Sequence, residues 1–210
     1  IGLHMVSRHF LLRVYFLKAI RWCGLTFLIF TSALIAVADS VDAERYYQRG
    51  KSAYTAGNIA EAKELFTKAI NEDAKHIDSY LARGYVHQYD RNYQEAVNDF
   101  SKAIEIEPTN PDPLFRRAVE YFNLGEFSKC VADFEKFAAL QPGQKPHLWQ
   151  LGIAYYYTGQ HKEGRELFES HQIVNSHDVE NAVWHFMCIA GLESFEAARK
   201  ALIGIEGDSR

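Results

Sequence analysis

The chain has 210 residues, 48% of them hydrophobic and 24% charged, with 13 Gly and only 5 Pro, a composition that excludes a largely disordered or collagen-like protein. Residues 1–38 carry Arg8, Arg13, Lys18 and Arg21 and no acid, so the net charge of −4 becomes −8 over residues 39–210, from 19 basic and 27 acidic side chains. So acidic a body offers no footprint for a phosphate backbone and argues against nucleic-acid binding, and three cysteines are too few for a disulfide scaffold.

At the amino end, residues 22–37 form a 16-residue run without charge, preceded by the basic residues and followed by Ala36-Val37-Ala38 and then polar Asp39 and Ser40. Basic flank, apolar run and Ala-x-Ala site in that order read as a signal peptide spanning residues 1–38, with cleavage after Ala38 and an exported, periplasmic or secreted, body. The run is shorter than the ~20 residues that cross a bilayer comfortably. The alternative is an uncleaved anchor over residues 22–37, the one route by which a membrane would be a partner. Export would expose Cys130 and Cys188 to an oxidising compartment, although each lies within an apolar helical pattern that favours a buried, unpaired thiol.

From residue 43 a 34-residue period organises the chain. Gly50 recurs as Gly84 and Gly152, Ala62 as Ala96, Phe66 as Phe100, Phe134 and Phe168, Ala69 as Ala103, and Pro108 as Pro142. A turn glycine falls at Gly57, Gly125 and Gly159. The blocks are 43–76, 77–110, 111–144 and 145–178, each two amphipathic helices, with the second block's helices expected near 77–89 and 93–105. A small eighth residue lets the second helix approach, a small twentieth admits the neighbouring helix, and the phenylalanine four places later fills the gap, worth about 1.5–3 kcal/mol per ring. Ala118 and Cys130 replace the glycine and alanine of block three while staying small. Gly164 replaces the alanine of block four, a helix-interior glycine costing about 1 kcal/mol against Ala.

This pattern over residues 43–178 resembles the tetratricopeptide repeat (TPR) family. The resemblance implies an all-α, right-handed superhelical solenoid of four helix pairs. Residues 179–190 continue the helical spacing, Gly191 is expected to break it, and Phe195–Leu202 makes a shorter second helix. We read 179–203 as a degenerate capping pair that covers the last apolar face, with 204–210 as a frayed tail.

In the TPR family the fifth, ninth, twelfth and thirteenth positions of each unit face a concave groove. Here they supply Tyr47, Lys51 and Tyr54, then Leu81, Tyr85, Gln88 and Tyr89, then Phe115, Val119, Phe122 and Asn123, then Trp149, Ile153, Tyr156 and Tyr157. The stripe is aromatic in every repeat, and Tyr and Trp give large, stiff contact area with a polar edge. Tyr47, Tyr54, Tyr85, Tyr89, Phe115, Phe122, Trp149, Tyr156 and Tyr157 are therefore candidate groove residues, with Arg116 as a charged group able to hold a carboxylate. The competing reading packs such rings against the adjacent repeat.

The family's clamp for chaperone tails needs Lys, Asn, Asn, Lys and Arg at five positions that hold Tyr47, Lys51, Ala82, Asp112 and Arg116 here; one match in five argues against that role. No phosphate loop, G-x-S-x-G or H-E-x-x-H occurs, and His171, His177 and His185 do not share one helix face, so no catalytic residue, metal or cofactor is expected. A zinc-dependent enzyme built on those histidines is the remaining enzymatic alternative. The stretches 147–168 and 178–186 resemble the last repeats of exported bacterial TPR proteins, among which envelope adaptors are the nearest functional analogy. The expectation is a non-catalytic scaffold that binds a segment of another protein in the aromatic groove. The alternative is a membrane-anchored or self-associating structural subunit without a peptide ligand.

Overall fold

The computed structural model describes residues 41–202; the leader and anchor expectations and the tail from 203 lie outside them. The described chain is a run of α-helices paired in sequence order: α1 (41–55) with α2 (Ile59–Glu72), α3 (Ile77–Tyr89) with α4 (Tyr93–Ile106), and α5 (Pro111–Asn123) with α6 (Phe127–Leu140). Then come a 3₁₀ turn (Pro142–His147), α7 (Trp149–Tyr157) with α8 (His161–Val174), and α9 (Val179–Leu192) with the short α10 (Phe195–Lys200). Each helix packs on the next, and the first helices of later pairs also touch, α5 on α7 and α7 on α9. The fold is an all-α solenoid. Among the described residues no helix is long and apolar enough to cross a membrane.

One contact recurs in three of the pairs. A methyl group built on Gly50, Gly84 or Gly152 would sit 2.6, 2.6 or 2.5 Å from the ring of Phe66, Phe100 or Phe168. The ring on the second helix occupies the place of a side chain on the first, and all four repeat phenylalanines are at most 2% exposed. Ala118 stands at the equivalent place in the third pair, fully buried.

The turns inside the pairs also repeat. Gly57, Gly125 and Gly159 have φ of 81°, 72° and 76°, and the amide after each reaches back five residues, as Asn58 to Ala53 at 2.9 Å and Gln160 to Tyr155 at 2.8 Å. This is the glycine-terminated helix end that left-handed backbone permits. The second pair has Arg91 in that position with φ of 59°, a conformation that costs a side-chain-bearing residue about 1–2 kcal/mol. The same amide bond still forms, Asn92 to His87 at 2.8 Å.

A polar contact of the same period joins successive pairs. Arg83 Nε and Nη2 donate to Asp99 at 2.9 and 2.7 Å while Nη1 donates to Thr67 Oγ1 at 3.1 Å. Arg117 repeats this with Asp133 at 2.7 and 2.9 Å and Ser101 Oγ at 2.9 Å. Asp99 and Asp133 are buried, so each guanidinium closes a buried carboxylate on its own second helix and ties it to a hydroxyl of the preceding pair. In the first pair the corresponding residues are an exposed Arg49 and Leu65. The last pair puts His185 in the arginine's place, 3.4 Å from Glu169.

Two expectations are corrected at the carboxy-terminal end. Gly191 does not end its helix: α9 runs to Leu192, because the missing side chain leaves room for the His161 ring, 2.8 Å from where a Cβ would be. The stop comes at Glu193, and Ser194 caps α10 by accepting from the Ala197 amide at 3.1 Å. Gly164 is not merely a weak helix residue, because a methyl there would lie 2.7 Å from Cys188 Sγ. The fourth pair also opens late, on the 3₁₀ turn containing Pro146, whose carbonyl accepts from His171 Nδ1 at 2.7 Å.

Cys130 and Cys188 are free and buried. Burial pushes both thiols up to about 12, so they stay protonated at neutral pH.

Gly164→Ala should destabilise the protein by about 1–3 kcal/mol through overpacking. In a Cys188→Ala background the same change should become neutral or gain up to about 1 kcal/mol of helix propensity, read as the urea midpoint of the single and double variants. Arg117→Ala strands a buried carboxylate and should cost roughly 3–5 kcal/mol, whereas Arg49→Ala should shift the urea midpoint hardly at all.

Candidate groove along the first helices

Positions i, i+4 and i+7 of a helix share one face, and on α1 these are Tyr47, Lys51 and Tyr54. The facing side of α3 carries Asp78, Leu81, Ala82 and Tyr85 at the same kind of spacing. Together with Thr55 and the edge of Phe66 they line a cleft of about 400 Å³. Its floor is apolar, and its walls carry Lys51 from α1 and Asp78 from α3, both exposed. Lys51 Nζ lies 5.3 Å from the centre of the Tyr47 ring, and that ring packs against Phe66 at 6.0 Å and His76 at 5.3 Å. His76 in turn fixes the two pairs together, with Nε2 3.1 Å from Glu44 and Nδ1 2.9 Å from Ser79 Oγ.

Beyond the cleft the stripe becomes a polar junction. The Tyr85 hydroxyl donates to Asp112 Oδ2, and the ring stands edge-on to Phe100 at 5.7 Å. Burial, then the bond to Asp112, pushes the phenol up to about 12. Arg116, the charged candidate, is partly engaged within the chain while its side chain stays 38% exposed. Its Nε is 3.4 Å from Asp112 and its guanidinium lies 5.0 Å over Tyr85 and 5.6 Å over Phe115, because Asp112 sits one helical turn before it on α5. Behind it Glu120 is fully buried and accepts from Gln88 Nε2 at 2.5 Å and Asn123 Nδ2 at 3.2 Å. Burial raises its carboxyl above the usual carboxylate range, and the two amide donors and Arg116 oppose that.

Towards the carboxy-terminal end the stripe is a chain of rings. Phe115 packs on Phe134 and Phe137 at 5.7 and 5.2 Å. Phe122 meets Phe127 at 5.8 Å and Trp149 at 5.9 Å. Phe127 stacks flat on Tyr157 at 4.5 Å, and Tyr156 and Tyr157 both reach Trp184 of α9, at 5.7 and 6.0 Å. Tyr156 also touches His161 at 5.2 Å.

The expected stripe therefore divides. Tyr54, Tyr89, Trp149 and Tyr157 are 40%, 70%, 42% and 57% exposed. Tyr47, Tyr85, Phe115, Phe122 and Tyr156 are half-buried and hold neighbouring helices as much as they offer surface. Asp78, Phe127 and Trp184 were missed by taking the groove positions alone. Asp78 had a sequence signal, since it lies three and seven residues before Leu81 and Tyr85; Phe127 and Trp184 come from elements outside those positions.

Of the carboxy-terminal histidines, His171 bridges the Pro146 carbonyl and Asp178 at 2.7 and 3.0 Å, and His185 faces Glu169. Among the described residues no three His, Cys, Asp or Glu side chains converge as metal ligands would.

The tetratricopeptide repeat family's sequence profiles match residues 43–76 and 77–110. A comparison with curated proteins finds no match. Among solved structures, YrrB, described as a TPR protein with an unusual peptide-binding site, is 18% identical with a TM-score of 0.70, over 86% of this chain and 93% of that one. The MamA protein is 16% identical with a TM-score of 0.68, over 76% of this chain and 87% of that one. A tetratricopeptide repeat protein from Parabacteroides merdae is 19% identical with a TM-score of 0.63, over 77% and 66%.

Burial first and then the bond to Asp112 hold the Tyr85 phenol above its ordinary value of 10, so the stabilisation tied to the protonated hydroxyl is fully present below pH 10 and is lost as pH rises through about 12. Near-ultraviolet absorbance titration should show a late tyrosine that moves down towards the ordinary range in Asp112→Ala; an unchanged titration would contradict the bond.

Proposed function

Because the chain belongs to the tetratricopeptide repeat family, we propose that it is a non-catalytic adaptor holding a segment of a partner protein along its first helices. The observation that carries this reading is the cleft between α1 and α3, where Tyr47, Tyr54 and Tyr85 surround an apolar floor that includes Leu81. A cleft of that size suits one or two side chains of a bound peptide, while the exposed Trp149 and Tyr157 extend the contact line past the polar junction. Large ring faces with polar edges are the usual anchors of such contacts. That YrrB is described as having a peptide-binding site supports peptide capture on this fold. The order of basic, apolar and Ala-x-Ala segments at the amino end supports export with cleavage after Ala38, so that the adaptor works in the periplasm or outside the cell; retention of residues 22–37 would tether it to a membrane instead.

A second reading, self-association, is favoured by the exposed Val183, Phe195 and Leu202 at the last pair. Light scattering over a concentration series tests this reading: a mass that stays at that of one chain throughout ends it.

Leu81→Asp places a carboxylate on the cleft floor, and Tyr54→Ala removes an exposed ring without disturbing packing. Native extract passed over immobilised wild type should leave proteins identifiable by mass spectrometry, and both variants should retain at least about tenfold less of them at an unchanged melting temperature. Equal capture by all three would end the groove reading.

A further inference from the structure

Most charges along the stripe have a direct partner in the molecule itself: Arg116 has Asp112, Glu120 has Gln88 and Asn123, and Glu44 has Gln48 and His76, with Lys51 acting on Glu44 from further off. Lys51 and Asp78 are different. Both line the cleft, both are exposed, and among the described residues neither forms an ion pair within 4.0 Å. They come from different helices of the lining, the cation from α1 and the anion from α3, and Phe66, Leu81 and Ala82 beside them are apolar. Lys51 is held over the Tyr47 ring at 5.3 Å, which orders the ammonium without neutralising it.

An acidic tail laid here gains from Lys51 and is repelled by Asp78. A basic segment meets the reverse. A neutral segment gains from neither. Both wall charges are satisfied together by a segment of mixed sign, and that is how charge placement excludes wrong partners as well as favouring the right one.

We propose that this cleft selects a peptide segment in which one apolar side chain lies between an acidic and a basic residue, the carboxylate meeting Lys51 and the cation meeting Asp78. The proposal rests on the adaptor reading of the same cleft and adds the charge pattern of the partner. Each exposed pair changes affinity by about two- to fivefold, so the two charges tune specificity while the floor supplies the anchor.

The test is a random heptapeptide phage library panned against wild type, Lys51→Glu, Asp78→Lys and Leu81→Asp. Wild type should enrich sequences with an apolar residue between an acid and a base. Lys51→Glu should lose the acid and Asp78→Lys the base, while Leu81→Asp should enrich nothing. A synthetic peptide of the wild-type consensus should then bind Lys51→Glu at least about threefold more weakly at low salt, with the gap closing at high salt. If both charge-reversed proteins enrich the same sequences as wild type, or if wild type selects uniformly acidic peptides, the charge pattern is wrong although the cleft binds peptide. If no bait enriches any sequence, the proposal falls together with the adaptor reading.

Discussion

A ring of one helix rests where the side chain of another would be, and this contact sets the spacing of the solenoid. Phe66, Phe100 and Phe168 each stand over a glycine of the first helix in their own pair, so close that a single methyl group would collide with them. The glycine gives up helix propensity, about 1 kcal/mol against Ala, and the buried ring contributes about 1.5–3 kcal/mol in return. Because the exchange recurs in the first, second and fourth pairs, with Ala118 small enough to stand in for the glycine in the third, the stack grows by repetition. Gly164 shows the same logic turned outward, with Cys188 of the next pair in the vacated space.

Repetition alone would let one pair slide on the next, and directional contacts between pairs oppose that. Arg83 and Arg117 each fork onto a buried aspartate and reach a hydroxyl of the preceding pair. Buried ion pairs add little net stability but strongly penalise wrong arrangements, which suits a contact whose task is register. Where the arginine is replaced, other chemistry takes over: His185 faces Glu169 in the last pair, and the Tyr155 hydroxyl donates to Glu135 at 3.0 Å between the third and fourth.

These junctions decide what remains exposed along the stripe. Between the second and third pairs the stripe is closed by Tyr85, Asp112, Arg116 and Glu120, and from the third pair onward by ring-on-ring packing that ends on Trp184. Between the first and second pairs His76 joins α1 and α3 through Glu44 and Ser79, and beside it the cleft lined by Leu81, Ala82 and the edge of Phe66 is left, with Lys51 and Asp78 in its lining and no ion pair to either among the described residues. The stripe is therefore graded, with an open pocket at one end and a partly exposed aromatic surface at the other.

The helix pairs were legible in the sequence because the 34-residue recurrence of Gly, Ala and Phe records a contact made within each pair. The identity of the stripe was legible too, since helix geometry alone puts Tyr47, Lys51 and Tyr54 on one face. Tertiary structure decided the rest. Whether Tyr85 is surface or support depends on an aspartate 27 residues away, and whether Arg116 is free depends on where that same carboxylate points. Gly191 reads as a helix breaker until His161 is seen to fill its place, and Gly164 as a defect until Cys188 does. Periodicity reports what each helix offers to its own partner, whereas the exposure and pairing of a side chain are set by residues of other repeats, which no local pattern encodes.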